Sequence, residues 1–234
     1  HHPSPLSMVG GIANSCNAYF CTVYRRTIEK YPTPQKGMDT WENHLESFGL
    51  GHYLGYDLPS GRPGKIPDAE TYNRMYPENN WYATATISNA IGQGEVLMTP
   101  IQMANFTATI ANRGWYYTPH VIKGIEDTDT IPKEYTKKYI TTIDSQYFEP
   151  VIEGMHEVYT RGTASYIRIP DIEICGKTGT AENFIRIDGK RMQLTDHSIF
   201  VAFAPKDDPK IAIAVFVENG YWGSRWAGRI AGLM

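Results

Sequence analysis

Residues 174–183 read Ile-Cys-Gly-Lys-Thr-Gly-Thr-Ala-Glu-Asn, and Lys177 stands inside a stretch that otherwise alternates like a strand. Ile172, Ile174, Gly176 and Thr178 fall on one side of the alternation, Glu173, Cys175, Lys177 and Gly179 on the other. A strand lysine most often guards an edge or stretches its ammonium into water. Its neighbours point elsewhere. Thr178 and Thr180 bring two hydroxyls, and Gly179 removes a side chain so that another backbone can approach. A cation, two hydroxyl donors and nearby backbone N–H groups suit a carboxylate or a developing oxyanion. A hydroxyl is a poor nucleophile or proton shuttle unless a base or cation lowers the cost of moving its proton, so a serine facing such a lysine would make physical sense. The sequence holds one Ser-x-Asn triplet, Ser15-Cys16-Asn17, of residue types that favour caps and turns.

These residues need elements to hold them. Val9, Ile12, Cys16, Phe20 and Val23 recur with helical period from Ser7 to Tyr31, and the break at residues 14–17 predicts two short helices meeting at the Ser-x-Asn triplet. A further helix is expected from an Asp39 cap to Gly49. Residues 54–80 carry Pro59, Gly61, Pro63, Gly64, Pro67 and Pro77, which predicts an extended surface loop. Thr99 and Pro100 start a helix that Asn112-Arg113-Gly114 stops, with Ile101, Ala104, Ala108 and Ala111 along one face. Residues 120–143, charged and rich in threonine, read as irregular surface strands. Val151, Ile152, Met155, Val158 and Tyr159 predict an amphipathic helix from Pro150 to Gly162. The Lys177 strand, residues 198–205 and residues 210–219 then form strands, the last two antiparallel across a short turn, before a closing helix from Ser224. Helices followed by an antiparallel sheet make the fold class α+β.

Composition narrows the function. The 234 residues, 41% of them apolar, are enough for one large domain with its own core. A net charge of −3, without a basic block, argues against nucleic acid as a partner. No apolar run approaches the roughly 18 residues of a membrane helix, and the N-terminus lacks a signal-peptide layout. The three cysteines, Cys16, Cys21 and Cys175, read as buried free thiols. His156-Glu157 lacks the second histidine of a zinc protease and reads as helix surface.

Ser-x-Asn at a helix junction, followed by Lys-Thr-Gly on a strand, matches two of the three motifs of the penicillin-binding proteins and class A β-lactamases. The resemblance covers nearly the whole sequence. It includes residues 15–20 (SCNAYF), 56–61 (YDLPSG), 90–114 (AIGQGEVLMTPIQMANFTATIANRG), 162–164 (GTA), 176–183 (GKTGTAEN) and 201–220 (VAFAPKDDPKIAIAVFVENG). The whole of residues 1–234 thereby resembles the C-terminal portion of the transpeptidase domain of the class B, penicillin-binding protein 2 type. That family cross-links peptidoglycan stem peptides during cell-wall elongation by serine acyl transfer, releasing D-Ala, and it binds penicillin. The resemblance implies that Ser15 relays protons and that Asn17 holds the donor amide and orients the lysine. It implies that Lys177 supplies charge for the relay and that Thr178 and Thr180, flanking Gly179, bind the substrate carboxylate. The N–H of Thr180 would be half of an oxyanion hole, and Trp222, in a turn beside the site, would touch substrate. It further implies no cofactor, a D-Ala-D-Ala stem peptide and β-lactams as ligands, and a glycosyltransferase complex of cell-wall elongation as partner; that no metal is expected follows from the residues themselves. The location implied is the periplasmic face of the inner membrane, with an anchoring helix outside this sequence.

One motif is missing. No serine is followed three residues later by lysine; Ser165, with Arg168 at that offset, comes nearest. The family's Ser-x-x-Lys nucleophile is therefore not in this sequence. The start at His1-His2 without Met and the end inside a helical pattern lead us to expect a piece of a longer protein, truncated at its N-terminus. Alone it should be inactive. The alternatives are a non-catalytic binding or scaffold module, or a D,D-carboxypeptidase or β-lactamase relative. Some relatives hold zinc just ahead of the Ser-x-Asn triplet; here His1 and His2 offer too few ligands.

Overall fold

The computed structural model describes residues 7–76, 78, 80–124, 130–223 and 225–234. In chain order the elements are α1 (Met8–Ala13), α2 (Asn17–Glu29), α3 (Pro34–Glu46), α4 (Ala69–Met75), a 3-10 helix (Ala83–Ile91), α5 (Pro100–Ala111), β1 (Trp115–Tyr116), α6 (Lys133–Thr136) and β2 (Tyr139–Ile140). Then follow α7 (Glu149–Thr160), β3 (Cys175–Ala181), β4 (Phe184–Ile187), β5 (Lys190–Gln193), β6 (His197–Ala204), β7 (Ile211–Val217) and α8 (Ala227–Ala231). They form two compact units, His1–Phe20 with Tyr147–Met234, and Cys21–Gln146.

In the first unit, and among the described residues, β3, β6 and β7 form an antiparallel sheet in the order β3-β6-β7. The register sets Lys177 opposite Val201 and Thr180 opposite Ser198. Helix α7 packs on β3 and on α1, and α8 on β6 and β7. Phe200 and Phe203 are wholly enclosed, and Tyr159 meets the edge of Phe200 at 5.9 Å. This is the α+β arrangement expected, with three differences. The strand starts at Cys175; Ile172 precedes it in an irregular, exposed segment, and Ile174, Cys175 and Gly176 are buried in succession. Alternation therefore stops where cover is two-sided. The β4–β5 hairpin, with every residue exposed, is additional to the sequence reading. The closing helix begins at Ala227, and its expected start, Ser224, lies outside the described residues.

In the second unit, Tyr24, Ile28, Met38, Tyr72, Trp81 and Ala83 form the core. The third helix starts at Pro34 with Thr33 as its cap, where Asp39 was expected. Asp39 lies inside the helix and its carboxylate accepts from Ala69 N–H at 2.9 Å, so it caps its neighbour. The expected extended loop contains that neighbour, α4, whose own cap Asp68 accepts from Thr71 N–H at 2.7 Å. Prolines bracket this helix without entering it, which is why proline spacing concealed it. Helix α5 has its expected start and stop, reinforced by a capping box between Thr99 and Gln102. Its inner face differs: Gln102 and Asn105 are buried while Ile101 is 36% exposed. Gln102 donates to His52 O and Pro63 O at 3.0 and 2.8 Å, and Asn105 to Phe48 O at 3.1 Å. The buried amides of Gln102 and Asn105 need acceptors, and these loop carbonyls supply them. Residues 115–116 and 139–140 form the only strand pairing seen near the expected irregular strands among the described residues; 125–129 lie outside them.

Candidate active site

All the residues singled out from the sequence belong to the first unit. Helix α1, capped by Ser7, ends in a tight turn in which Ser15 N–H donates to Ile12 O at 3.1 Å and Cys16 N–H to Gly11 O at 2.9 Å. This pair of bonds needs a left-handed residue at the turn, usually glycine; here it is Ser15, with φ +52°. A serine held in that region keeps a strained backbone in return for a hydroxyl at the tip of the turn. Cys16 is buried beneath it, and α2 opens at Asn17.

Lys177 reaches across to this turn. Its Nζ donates to Ser15 Oγ at 2.9 Å, to Thr178 O at 2.7 Å and, more weakly, to Thr178 Oγ1 at 3.4 Å. The lysine lies on an edge strand of the described sheet, yet its ammonium turns to a serine instead of to water. Partial burial takes much of the solvent from the ammonium and pushes its pKa down from 10.5 to about 8. A lysine that titrates so close to neutrality can both hold a charge near Ser15 and exchange a proton with it.

The threonines are held separately. Thr178 Oγ1 is hydrogen-bonded to Thr163 Oγ1 at 2.9 Å, and Thr180 Oγ1 accepts from Gly223 N–H at 3.0 Å. A Cβ on Gly223 would stand 2.0 Å from Gly179 O, so the backbone that comes close to the Lys-Thr-Gly strand is that of residue 223. A Cβ on Gly179 would press on Ile199 at 3.3 Å, a tight contact but a less severe one than that at Gly223. Ser198, fully enclosed, clamps this loop: its Oγ donates to Gly223 O at 3.0 Å and accepts from Ala227 N–H at 3.1 Å. Trp222, 56% exposed, lines an open cleft of about 540 Å³ with Gln193, Leu194, Thr195, Asp196 and Tyr221. Arg225 lies over the rings of Tyr221 and Trp222 at 4.4 and 5.2 Å.

The structure thus joins Ser15, Lys177 and Thr178 directly, while Thr180 is bonded to Gly223. Asn17 is exposed at the start of α2 and makes no side-chain bond to Lys177 among the described residues. Two contributors escaped the sequence reading. Thr163 appeared only within the GTA stretch, with no role; Ser198 had a signal, a lone serine heading an apolar strand. No group of three metal-ligating residues occurs among the described residues, and His1 and His2 lie outside them. No helix among the described residues is long and apolar enough to cross a membrane.

The family described as the penicillin binding protein transpeptidase domain matches residues 1–233. The chain belongs to this family. Among curated relatives of this penicillin-binding protein chain, peptidoglycan D,D-transpeptidase MrdA of Acinetobacter baumannii is 35% identical over 227 residues, which are 93% of this chain and 32% of the relative. MrdA of Escherichia coli K12 is 33% identical over 196 residues, 79% of this chain and 31% of the relative. Among solved structures, penicillin-binding protein 2 of Pseudomonas aeruginosa matches 97% of this chain and 47% of its own, with 31% identity and a TM-score of 0.77. The Helicobacter pylori protein of the same name matches all of this chain and 39% of its own, with 28% identity and a TM-score of 0.73. The chain spans about a third of the length of the curated relatives. The α+β fold is therefore that of the penicillin-binding protein 2 transpeptidase domain.

Proposed function

We propose that this chain is the C-terminal portion of a peptidoglycan D,D-transpeptidase and supplies the Ser-x-Asn and Lys-Thr-Gly parts of its site, the Ser-x-x-Lys part lying outside these residues. The observation that carries the reading is the 2.9 Å bond from Lys177 Nζ to Ser15 Oγ beside Thr178 and Thr180. In this mechanism a serine from a Ser-x-x-Lys segment outside these 234 residues attacks the carbonyl of the D-Ala-D-Ala bond, forming an ester as the C–N bond breaks, and its hydroxyl proton passes through Ser15 to the departing D-Ala amine. The incoming stem-peptide amine then displaces the serine from the ester, and the amine's proton returns through Ser15 to the serine oxygen. Lys177, with its lowered pKa, offsets negative charge on Ser15 during each transfer. Asn17 holds the donor amide from the rim. The substrate carboxylate lies against Thr178 and Thr180, the Thr180 N–H faces the oxyanion, and Trp222 flanks the bound peptide.

The same reading places the whole protein at the periplasmic face of the inner membrane, anchored by an upstream helix, in a complex that polymerises and cross-links the wall. Support for a partner comes from structural neighbours: one belongs to a peptidoglycan synthase complex, another is the Helicobacter pylori protein bound to MreC. No cofactor enters the mechanism.

The test is covalent labelling with a fluorescent penicillin, read by denaturing gel and intact mass. The 234-residue chain alone should stay unlabelled, since no serine has lysine at the third position after it. A protein joining this chain to an upstream Ser-x-x-Lys helix should take one label. An adduct on the short chain, or none on the long one, would overturn the proposal.

A further inference from the structure

The segment Gly162-Thr163-Ala164 touches both halves of the site. Thr163 N–H donates to Ala13 O at 3.2 Å, two residues before Ser15. Its Oγ1 lies 2.9 Å from Thr178 Oγ1, next in the chain to Lys177. The approach is tight: a Cβ on Gly162 would stand 2.3 Å from Ala13 O. Ala164 N–H returns to Val158 O at 3.0 Å, so the segment is also tied to the end of α7. Ser15 and Lys177 are 162 positions apart in sequence, and this short loop bonds to the element of each.

We propose that Thr163 is a positioning residue that sets the Ser15–Lys177 pair, its N–H holding the end of α1 and its hydroxyl holding Thr178 beside the ammonium. Its relevance to catalysis rests on the transpeptidase reading above; its effect on Lys177 does not. The hydroxyl matters because Thr178 Oγ1 can rotate. Paired with Thr163, it keeps an oxygen turned toward Lys177 Nζ at 3.4 Å, in addition to the carbonyl of its own residue at 2.7 Å. Unpaired, it swings away and the charged lysine loses an acceptor. Loss of a hydrogen bond to the charged form lowers a lysine's pKa. The backbone bond to Ala13 survives any side-chain change, so the two halves of the bridge can be separated.

The experiment follows the Nζ and Cε signals of lysine in the isotopically labelled 234-residue chain through a pH titration, with Lys177 assigned from its loss in Lys177→Arg. Thr163→Val keeps the shape and removes the hydroxyl. It should lower the Lys177 midpoint by about half a pH unit, a threefold loss of proton affinity, and leave the other lysines unmoved. Thr163→Ser should restore the parent midpoint. Thr163→Ala, which has no branch to accommodate, should reproduce the valine result and decides the matter if the valine variant does not fold. Coincident titrations of parent and hydroxyl-free variants overturn the bridge, even if the longer protein is acylated by penicillin. A shifted Lys177 in a chain whose longer form resists penicillin would leave the bridge standing and reject the transpeptidase reading instead.

Discussion

Each unit contains a buried polar network, and the two respond to burial in opposite ways. In the second unit Tyr24 Oη lies 2.8 Å from Thr86 Oγ1, Asn89 Nδ2 donates to Tyr72 Oη at 2.7 Å, and Tyr72 Oη donates to Glu95 Oε2 at 2.6 Å. In the first unit Lys177 faces Ser15 and Thr178. Desolvation penalises the charged form in both. A phenol is neutral at pH 7, so burial, helped by the Glu95 carboxylate, pushes Tyr72 further from titration, and burial raises Tyr24 in the same way. An ammonium is charged at pH 7, so burial brings Lys177 down to about 8, within reach of proton exchange. One network has protons that stay put and serves as a frame. The other contains a proton that can move, and it ends at an exposed serine.

The sharpest way to break this contrast is to remove the movable proton. In the longer protein carrying the Ser-x-x-Lys serine, Lys177→Met should slow penicillin acylation about 10³-fold, a loss of about 4 kcal/mol of transition-state stabilisation. Stopped-flow labelling would measure it, and a drop below threefold would remove Lys177 from the mechanism.

Next comes the pH dependence of stability. The folded pKa of Lys177, about 8, lies below its ordinary value of 10.5, so between these pH values the unfolded chain binds more protons than the folded one. Stability should therefore rise with pH across that window. The Lys177 contribution is at most about 3 kcal/mol, and solvent reaching the half-buried ammonium reduces it. Urea unfolding of parent and Lys177→Met from pH 7 to 10.5 isolates it, because the difference between the two curves should grow with pH in favour of the parent. A constant difference would mean that the lysine is not desolvated.

The smallest effect belongs to the frame. Tyr72→Phe leaves Asn89 Nδ2 and Glu95 without the phenol and should cost about 1–2 kcal/mol in urea unfolding. Penicillin labelling of the longer protein should be unchanged. A change in its rate, with stability intact, would show that the second network takes part in the chemistry after all.

Residues with local consequences were legible from the sequence. Thr99, Pro100 and Gln102 act within one helical turn, so the start of α5 could be read directly. Lys177 was conspicuous because a strand rarely encloses a lysine, and Ser15-Cys16-Asn17 because those residue types break a helix. The errors came from neighbours the sequence does not display. Thr33 and Asp39 are both good caps, and only the position of Ala69 N–H gives Asp39 to the next helix. Proline-rich residues 54–80 hid α4, which gains its stability from enclosing Tyr72 in the core more than from its own seven residues.

The sequence by itself determined the residue types of the site, the order of its motifs, the absence of a Ser-x-x-Lys serine and the α+β succession of elements. Only the tertiary structure decided that Lys177 meets Ser15, that Thr163 spans their two elements, that Gly223 closes on Gly179 under the clamp of Ser198, and that Asn17 stays at the rim. The physical reason is range. Propensity, capping and alternation act between residues a few positions apart. A lowered lysine pKa, a hydroxyl–hydroxyl hydrogen bond and a backbone contact too close for a Cβ arise from atoms that packing brings together, from positions 13–17, 162–164, 177–180, 198 and 223 of one chain.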